Sequence, residues 1–261
     1  MPTIKLAVIA SATLAELWPE EAVRPDLLEA NTWIPPEEIR LFRGFFPERP
    51  LLLHGGNLLG SPLTVAQGSE LRALVEHTGT PWLSAHTSLW PWQVLQEVRQ
   101  RGRQPTALDL GEHLEQFFTR VRSLREATGV PVLLENVPGL PGLERDPESD
   151  PETIAAVLEA TGCSFLLDLS YAQTAANNWG YDPRAYLEQL PLSRVVELHL
   201  SAPRRLEDGR LVDAHEPLRE TDYLLLDWLL QRTTPQVVTL EYSREPRALL
   251  EQVVRLKEEV R

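Results

Sequence analysis

Short apolar runs alternate with longer amphipathic segments along this chain. Eight runs are almost continuously apolar, as expected for strands that are covered on both faces. Proline stands at the entry to three of them, at Pro50, Pro81 and Pro131. The predicted strands are Ile4–Ile9, Leu27–Ala30, Leu51–His54, Trp82–His86, Val130–Glu135, Ser164–Leu169, Val195–Leu200 and Val237–Tyr242.

Helical periodicity is clearest in five segments between these strands. One helix begins at Pro151, directly after the capping residue Asp150, and ends before Gly162. Strands that alternate with helices predict right-handed crossovers and a parallel sheet. The predicted helices are Val65–His77, Ala107–Thr128, Pro151–Thr161, Thr221–Arg232 and Glu245–Glu259.

Eight strand–helix units predict an α/β fold, a closed (β/α)8 TIM barrel. The chain has 261 residues, close to the ~250 that such a barrel needs. No shift in composition marks a boundary, so we expect residues 1–261 to form a single domain. Gly139–Asp150 and Ala202–Pro217 are predicted as long loops, which a barrel places on its catalytic face.

Composition and charge exclude several classes of protein. The only cysteine, Cys163, lies in an apolar run, so neither a disulfide scaffold nor a thiolate metal cluster is expected. The net charge of −13 makes nucleic acid an unfavourable partner, because such binding relies on Lys and Arg. The polar N-terminus is unlike a secretory signal, and no apolar run reaches the ~18 residues of a membrane span. We therefore expect a cytoplasmic protein that does not bind membranes.

Histidines and acidic residues occur where these strands end. Because the carboxyl ends of parallel strands meet at one mouth of a barrel, these side chains are predicted to converge there. Several buried carboxylates would repel one another, and a divalent cation relieves that repulsion. Imidazoles and carboxylates suit zinc, iron or manganese. The predicted metal ligands are His54, His86, Glu135, Asp168, His199, Asp213, His215 and Glu241.

Each of these residues also has a simpler explanation. His54 could cap the turn at Gly55, and His86 could be a hydrogen-bonded core residue. Glu135 and Asp168 could pair with arginines at the rim. His199 could hydrogen-bond to Glu197, and Glu241 could pair with Arg244. Asp213 and His215 could lie on an ordinary exposed loop. One ionisable residue at each of six successive strand ends is harder to explain in this way, so we favour a shared metal site.

Several segments together resemble a known family. They resemble the bacterial barrel family that includes the methanobactin-biosynthesis iron oxidase, within the xylose-isomerase-like TIM barrels. The similarity extends from about the third strand to the eighth, and the tip of the second strand, residues 29–31 with Glu29 first, resembles a polar patch of the family that is expected at the cleft. The segments that carry it are Leu53–Gly55, Leu133–Asn136, Gly162–Asp168, Ala176–Pro183, Val196–Leu200 and Val212–His215.

The resemblance implies two or three metal ions at the barrel mouth, with Glu135 bridging two of them. His54 and His86 would complete the first site, and three residues on later strands would complete the second site. A third ion would lie between two residues that follow the seventh strand. Where relatives have Asn or His to help the third ion, this chain has Tyr171, which weakens that site. The second site would be completed by Asp168, His199 and Glu241, and the third ion would be held by Asp213 and His215.

The resemblance favours iron, with zinc or manganese as alternatives. With iron it implies oxidation of a peptide or small molecule, and a partner protein that presents the peptide. With zinc or manganese, the chain would be a hydrolase or sugar isomerase, with Glu197 or a ligand carboxylate such as Glu241 as the general base. An apurinic nuclease fits the acidic charge less well. A barrel that binds metal or a partner without catalysis is the remaining alternative.

Overall fold

The computed structural model describes residues 3–46, 49–91, 96, 100, 106–139 and 145–260. Eight strands lie parallel in a closed barrel, which confirms the predicted TIM fold. In chain order they are β1 (Lys5–Ile9), β2 (Leu27–Asn31), β3 (Leu51–His54), β4 (Leu83–His86), β5 (Val132–Glu135), β6 (Ser164–Asp168), β7 (Val195–Leu200) and β10 (Val237–Leu240). Around the barrel the order is β1-β10-β7-β6-β5-β4-β3-β2.

Helices follow the strands around the outside of the barrel. They are α1 (Ala12–Leu17), α2 (Pro36–Phe45), α3 (Val65–Thr78), α4 (Ala107–Thr128), α5 (Pro151–Thr161), α6 (Leu169–Trp179), α7 (Pro183–Leu187), α8 (Glu220–Leu230) and α9 (Pro246–Glu259). The predicted boundaries of the five helices lie within two residues of these. No helix in the described part of the chain combines the length and apolar character needed to cross a bilayer.

Local sequence explains where the helices begin and end. Thr64 and Gln67 form a reciprocal capping box at the start of α3, and Gly79 ends that helix with a φ of 66°. Asp150 accepts a hydrogen bond from the backbone N–H of Thr153 and so caps α5. These contacts satisfy backbone groups that a helix end leaves without partners.

Alternate residues of each strand face opposite sides of the barrel wall. One set, which includes Val8, Leu53 and Leu134, packs against the helices in the main core. The other set points into the barrel. Its lowest layer is an apolar floor made of Ala7, Leu27, Leu52, Trp82, Leu133, Leu166 and Val237.

The prediction of a loop over Ala202–Pro217 is wrong. β8 (Ala202–Arg205) and β9 (Leu211–Glu216) pair as an antiparallel hairpin outside the barrel. Gly209 takes a φ of 87° in its turn, and Arg204 forms an ion pair with Glu216 across the hairpin. In the predicted Gly139–Asp150 loop, residues 140–144 lie outside the described residues, and Pro147–Ser149 form a short 3-10 turn.

Candidate metal centre at the barrel mouth

A polar layer lies directly above the apolar floor. On each strand that contributes to the floor, the inward residue two positions further along the chain is polar, except on β1, where it is Ile9. These polar side chains and the two inward residues of β7 are at most 2% exposed. The layer consists of Glu29, His54, Ser84, Glu135, Asp168, Thr239 and His199. Glu197 of β7 lies one level lower, beside Leu166 and Val237 of the floor.

Glu135, the last residue of β5, lies at the centre of this layer. Its Oε2 is 3.5 Å from Nε2 of His54 and 3.3 Å from Nε2 of His86. Its Oε1 is 3.4 Å from Nδ1 of His199. The hydroxyl of Ser84 lies 2.9 Å from Nδ1 of His54, which turns Nε2 of that ring toward Glu135.

A second group of ligand atoms shares Glu135 with the first. Glu135, Asp168, His199 and Glu241 each offer one ligand atom, and these atoms all lie within 4.8 Å of one another. Nδ1 of His199 is 3.3 Å from Oε1 of Glu241. Asp168 also caps α6, where its Oδ1 accepts the backbone N–H of Tyr171 at 2.6 Å and leaves Oδ2 free.

Glu135 and the candidate ligands around it form one cluster, whose other members are His54, His86, Asp168, His199 and Glu241. Three atoms of this cluster are buried without a hydrogen-bond partner. They are Oε2 of Glu135, Oδ2 of Asp168 and Nδ1 of His199. A buried polar atom without a partner costs about 1–3 kcal/mol. A divalent cation among these atoms would partner all three and compensate the carboxylate charges. The donor set therefore fits a metal ion, and its nitrogen and oxygen ligands suit iron, zinc or manganese.

The other nitrogen of His199 faces a separate pair of acids. Its Nε2 is 3.2 Å from Oε2 of Glu29 and 3.8 Å from Oε1 of Glu197. Glu197 accepts hydrogen bonds from Nε1 of Trp82 and from Oγ1 of Thr239, both at 2.8 Å. Each oxygen of Glu197 is thus already engaged, below the layer that surrounds Glu135.

Burial and mutual repulsion shift the protonation of these groups. Burial lowers the pKa of His54 to about 4, so its ring is neutral, the form that binds metal. Burial raises the pKa of Glu29 to about 8, and burial with repulsion from Glu241 holds the pKa of Asp168 well above its ordinary value. Burial would lower the pKa of His199, but the surrounding carboxylates, first Glu29, hold it well above 6.5.

Asp213 and His215 lie on β9, beside the main cluster. Nε2 of His215 is 3.3 Å from Oδ1 of Asp213, and its Nδ1 is 4.0 Å from Oε2 of Glu241. His215 has a φ of 45°, which is uncommon for a residue other than glycine. Among the described residues, neither Asp213 nor His215 joins a group of three ligand atoms within 4.8 Å of one another.

A cavity of about 480 Å³ opens beside the cluster, and His86 is part of its lining. Its outer wall is the indole of Trp33, which is 62% exposed and lies 5.7 Å from the ring of His54. Gly56 has a φ of 49°, and a Cβ there would lie 2.5 Å from Cζ3 of Trp33. A glycine is therefore needed where the indole rests on the backbone.

Six of the eight predicted ligands come together around Glu135, and Asp213 and His215 lie next to them. Among the described residues, no arginine pairs with Glu135 or Asp168, and Arg244 binds Glu216 and the carbonyl of His215 instead of Glu241. Inspection of strand ends did not identify Ser84 or Trp33 as part of the site, whereas the resemblance placed Glu29 in a polar patch at the cleft without giving it a role. For Glu29 and Ser84 the sequence does carry a signal, because each lies two residues after an inward apolar residue of its strand.

Bacterial proteins are similar to this chain in sequence. A UPF0276 protein of Bordetella pertussis is 34% identical over 134 residues, which are 49% of this chain and 44% of that protein. The match thus spans less than half the length of that relative.

Solved structures match almost the whole chain, and two examples show how closely. A D-tagatose 3-epimerase-like protein covers 98% of this chain (TM-score 0.67, 15% identity, 97% of that chain). A xylose isomerase-like TIM barrel protein from Mycobacterium smegmatis in complex with magnesium covers 99% of it (TM-score 0.61, 13% identity, 97% of that chain). At such low identity the likeness shows the fold alone, and it confirms the predicted xylose-isomerase-like barrel.

The family comparison covers almost the whole chain. A family model described as "RiPP precursor modification enzyme MbnB/TglH/ChrH" matches residues 23–259, where RiPP denotes a ribosomally made and later modified peptide. The match includes every predicted metal ligand. It confirms the resemblance found in the sequence, and the chain belongs to the MbnB/TglH/ChrH family of RiPP precursor modification enzymes.

Proposed function

We propose that this chain is a metal-dependent enzyme that oxidises a ribosomally made precursor peptide at an iron centre in the barrel mouth. The observation that carries the proposal is the convergence of three buried atoms without partners, one each on Glu135, Asp168 and His199. Family membership supports a peptide as the substrate. A partner protein that presents the peptide is part of the same proposal.

The geometry supports two overlapping ion sites that share Glu135. His54 and His86 would complete the first, since both point Nε2 at Oε2 of Glu135. Asp168, His199 and Glu241 would complete the second. Asp213 and His215 lie next to Glu241, with Nδ1 of His215 4.0 Å from its Oε2, but they join no group of three ligand atoms among the described residues, so the proposal is limited to two ions.

Iron at this centre would supply redox chemistry, with dioxygen as the electron acceptor. The residues of the chain hold the ligands in place and exclude water, since the cluster around Glu135 is almost wholly buried. Attraction to His199 holds the pKa of Glu241 below its ordinary value despite burial. A weakly basic carboxylate suits a ligand better than a general base. Glu197 is also a poor base, because both of its oxygens are engaged.

The cavity beside His86 is the proposed entry for the peptide. Apart from His86, the described residues that line it carry no ionisable side chain. Desolvation there would penalise a charged residue that has no opposite charge to pair with. An uncharged segment of peptide, extended across Gly56 with a side chain against the Trp33 indole, fits this lining. A cysteine thiol at the inner end of that segment would face the metal ligands.

The metal content of anaerobically purified protein tests the proposal. Wild-type protein is expected to contain two iron ions per chain, and Glu135→Ala is expected to lose both, because Glu135 is shared. Glu37→Ala, an exposed residue of α2, is the matched control and should keep the wild-type content. Unchanged iron content in Glu135→Ala would contradict the assignment. Dioxygen consumption with a Cys-bearing peptide encoded beside the gene would then test oxidation itself.

The same ligands also suit zinc, which supports a second candidate, a hydrolase or sugar isomerase. Colourless protein that contains zinc or manganese and consumes no dioxygen would favour it. Protein that binds neither iron, zinc nor manganese would favour a barrel without catalysis.

A further inference from the structure

His199 can serve only one of the two groups of acids around it as a metal ligand. Its Nδ1 faces Oε1 of Glu135 and Oε1 of Glu241, at 3.4 and 3.3 Å. Its Nε2 faces Glu29 and Glu197 on the opposite side of the ring. A neutral imidazole carries a proton on one nitrogen and a lone pair on the other. Whichever acid accepts the proton therefore decides which nitrogen can bind a cation.

Glu29 is the better placed of the two acids to accept that proton. Its Oε2 lies 3.2 Å from Nε2 of His199, against 3.8 Å for Glu197. The oxygens of Glu197 already accept hydrogen bonds from Trp82 and Thr239. Glu29 is 1% exposed, and among the described residues its hydrogen-bond partner is His199.

We propose that Glu29 is the positioning residue of the metal centre, which accepts the Nε2–H of His199 and so aims the Nδ1 lone pair at the cation. The inference rests on the proposed metal centre and adds a residue that touches neither metal nor substrate. It also means that Glu29, Glu197 and His199 do not form a separate metal site, although their ligand atoms lie close together.

The position of Glu29 in the barrel makes this contact rigid. Glu29 is on β2 and His199 on β7, and β1 and β10 lie between these strands in the barrel wall. Both side chains cross the barrel interior above the apolar floor, where neither can turn to solvent. A carboxylate behind a ligating histidine fixes its orientation and raises its basicity, and loss of such a partner typically weakens metal binding by ~10–100-fold.

The first test measures affinity for Zn²⁺ alone, by competition with a chelator. Glu29→Met removes the acceptor at similar volume, and we expect it to weaken binding by ~10–100-fold. Glu29→Gln keeps a carbonyl oxygen that can accept the same proton, so a smaller loss is expected. Glu148→Gln alters a buried glutamate outside the cluster and should bind Zn²⁺ like the wild type. Wild-type affinity in Glu29→Met would overturn the proposal.

The second test reads the histidine directly and does not depend on a variant that folds. Long-range ¹H–¹⁵N NMR of the Zn²⁺-loaded wild-type protein, labelled on histidine, should show Nε2 of His199 protonated and Nδ1 bound to the metal. The opposite tautomer would overturn the role of Glu29, whereas failure of wild-type protein to bind Zn²⁺ would instead count against the metal centre. In Zn²⁺-loaded Glu29→Met, which lacks the acceptor, a merely structural role of Glu29 would leave the His199 signals unchanged, whereas the positioning role predicts that the Nε2–H signal shifts or is lost.

Discussion

At the scale of single residues, the position of a side chain within its strand decides its role. His54, Glu135 and Asp168 are the last residues of their strands, so a search of strand ends finds them. Glu29 is two residues short of the end of β2, and it reaches the cluster because it shares the inward face with Leu27. The alternation of inward and outward residues is thus more informative than the strand end alone.

Gly56 offers a test of the cavity wall. A methyl group there would collide with the indole of Trp33 and would also occupy a positive φ. We expect Gly56→Ala to lose about 1 kcal/mol of stability and to move Trp33 away from the cavity. Fluorine NMR of protein labelled with 5-fluorotryptophan should show a shifted Trp33 resonance.

Gly79→Ala separates the two effects of that substitution. Gly79 also has a positive φ, 66°, but nothing lies within 4 Å of its missing Cβ. It should lose a similar amount of stability and leave the Trp33 resonance in place. If both variants gave the wild-type resonance, the packing of Trp33 on Gly56 would be refuted.

At the scale of elements, two acidic side chains in the segment after β5 form hydrogen bonds with the segment after β4. Glu148 accepts hydrogen bonds from the backbone N–H groups of Leu89 and Trp90, and Asp146 accepts one from the indole N–H of Trp90 at 2.9 Å. Burial, with repulsion from Asp146, holds the pKa of Glu148 well above its ordinary value. This contact joins the segments that follow β4 and β5.

The raised pKa of Glu148 predicts a pH dependence of stability. The folded protein binds the proton more tightly than the unfolded chain, so this contribution is complete below about pH 4.3 and is lost as the pH rises toward the folded-state pKa. Glu148→Gln keeps an acceptor for the backbone without the charge. We expect its melting temperature to exceed that of the wild type at pH 8 and to converge with it near pH 4. Parallel profiles of the two proteins would contradict the prediction.

Strand-like apolar runs and helix caps made most elements predictable, and the hairpin shows where that approach fails. β9 contains Asp213, His215 and Glu216 among its six residues, so it lacks the continuous apolar pattern of a barrel strand. Its partner β8 ends in two exposed arginines. Pairing here depends on contacts between chain segments, such as Arg204 with Glu216, which no local pattern encodes.

At the scale of the whole molecule, the sequence predicted the closed barrel and the convergence of ligands, because eight parallel strands bring their ends to one mouth. It did not reveal which acids meet which nitrogen of His199, since that depends on how side chains cross the barrel interior. Nor did it reveal the cavity, whose lining comes from the segments after β2 and β3 and from His86 at the end of β4.

Metal binding should stabilise the entire barrel. A ligand that binds only the folded state adds about 2.7 kcal/mol at 100 times its dissociation constant. For a domain of this size each kcal/mol raises the melting temperature by about 2–4 °C. Calorimetry should therefore show a rise of about 5–10 °C with Zn²⁺ or Fe²⁺ at that excess. Glu135→Ala should show little rise, and an equal rise in that variant would place the binding elsewhere.

The two faces of each strand set different limits on how this protein can change. Substitutions on the inward face can alter chemistry while the helices keep their packing, so new ligand sets are accessible one residue at a time. A single-residue insertion within β5 would instead rotate Glu135 into the helical layer and bring Leu134 inward. This scaffold can therefore diverge through changes of side-chain identity, whereas it cannot accommodate changes of strand length.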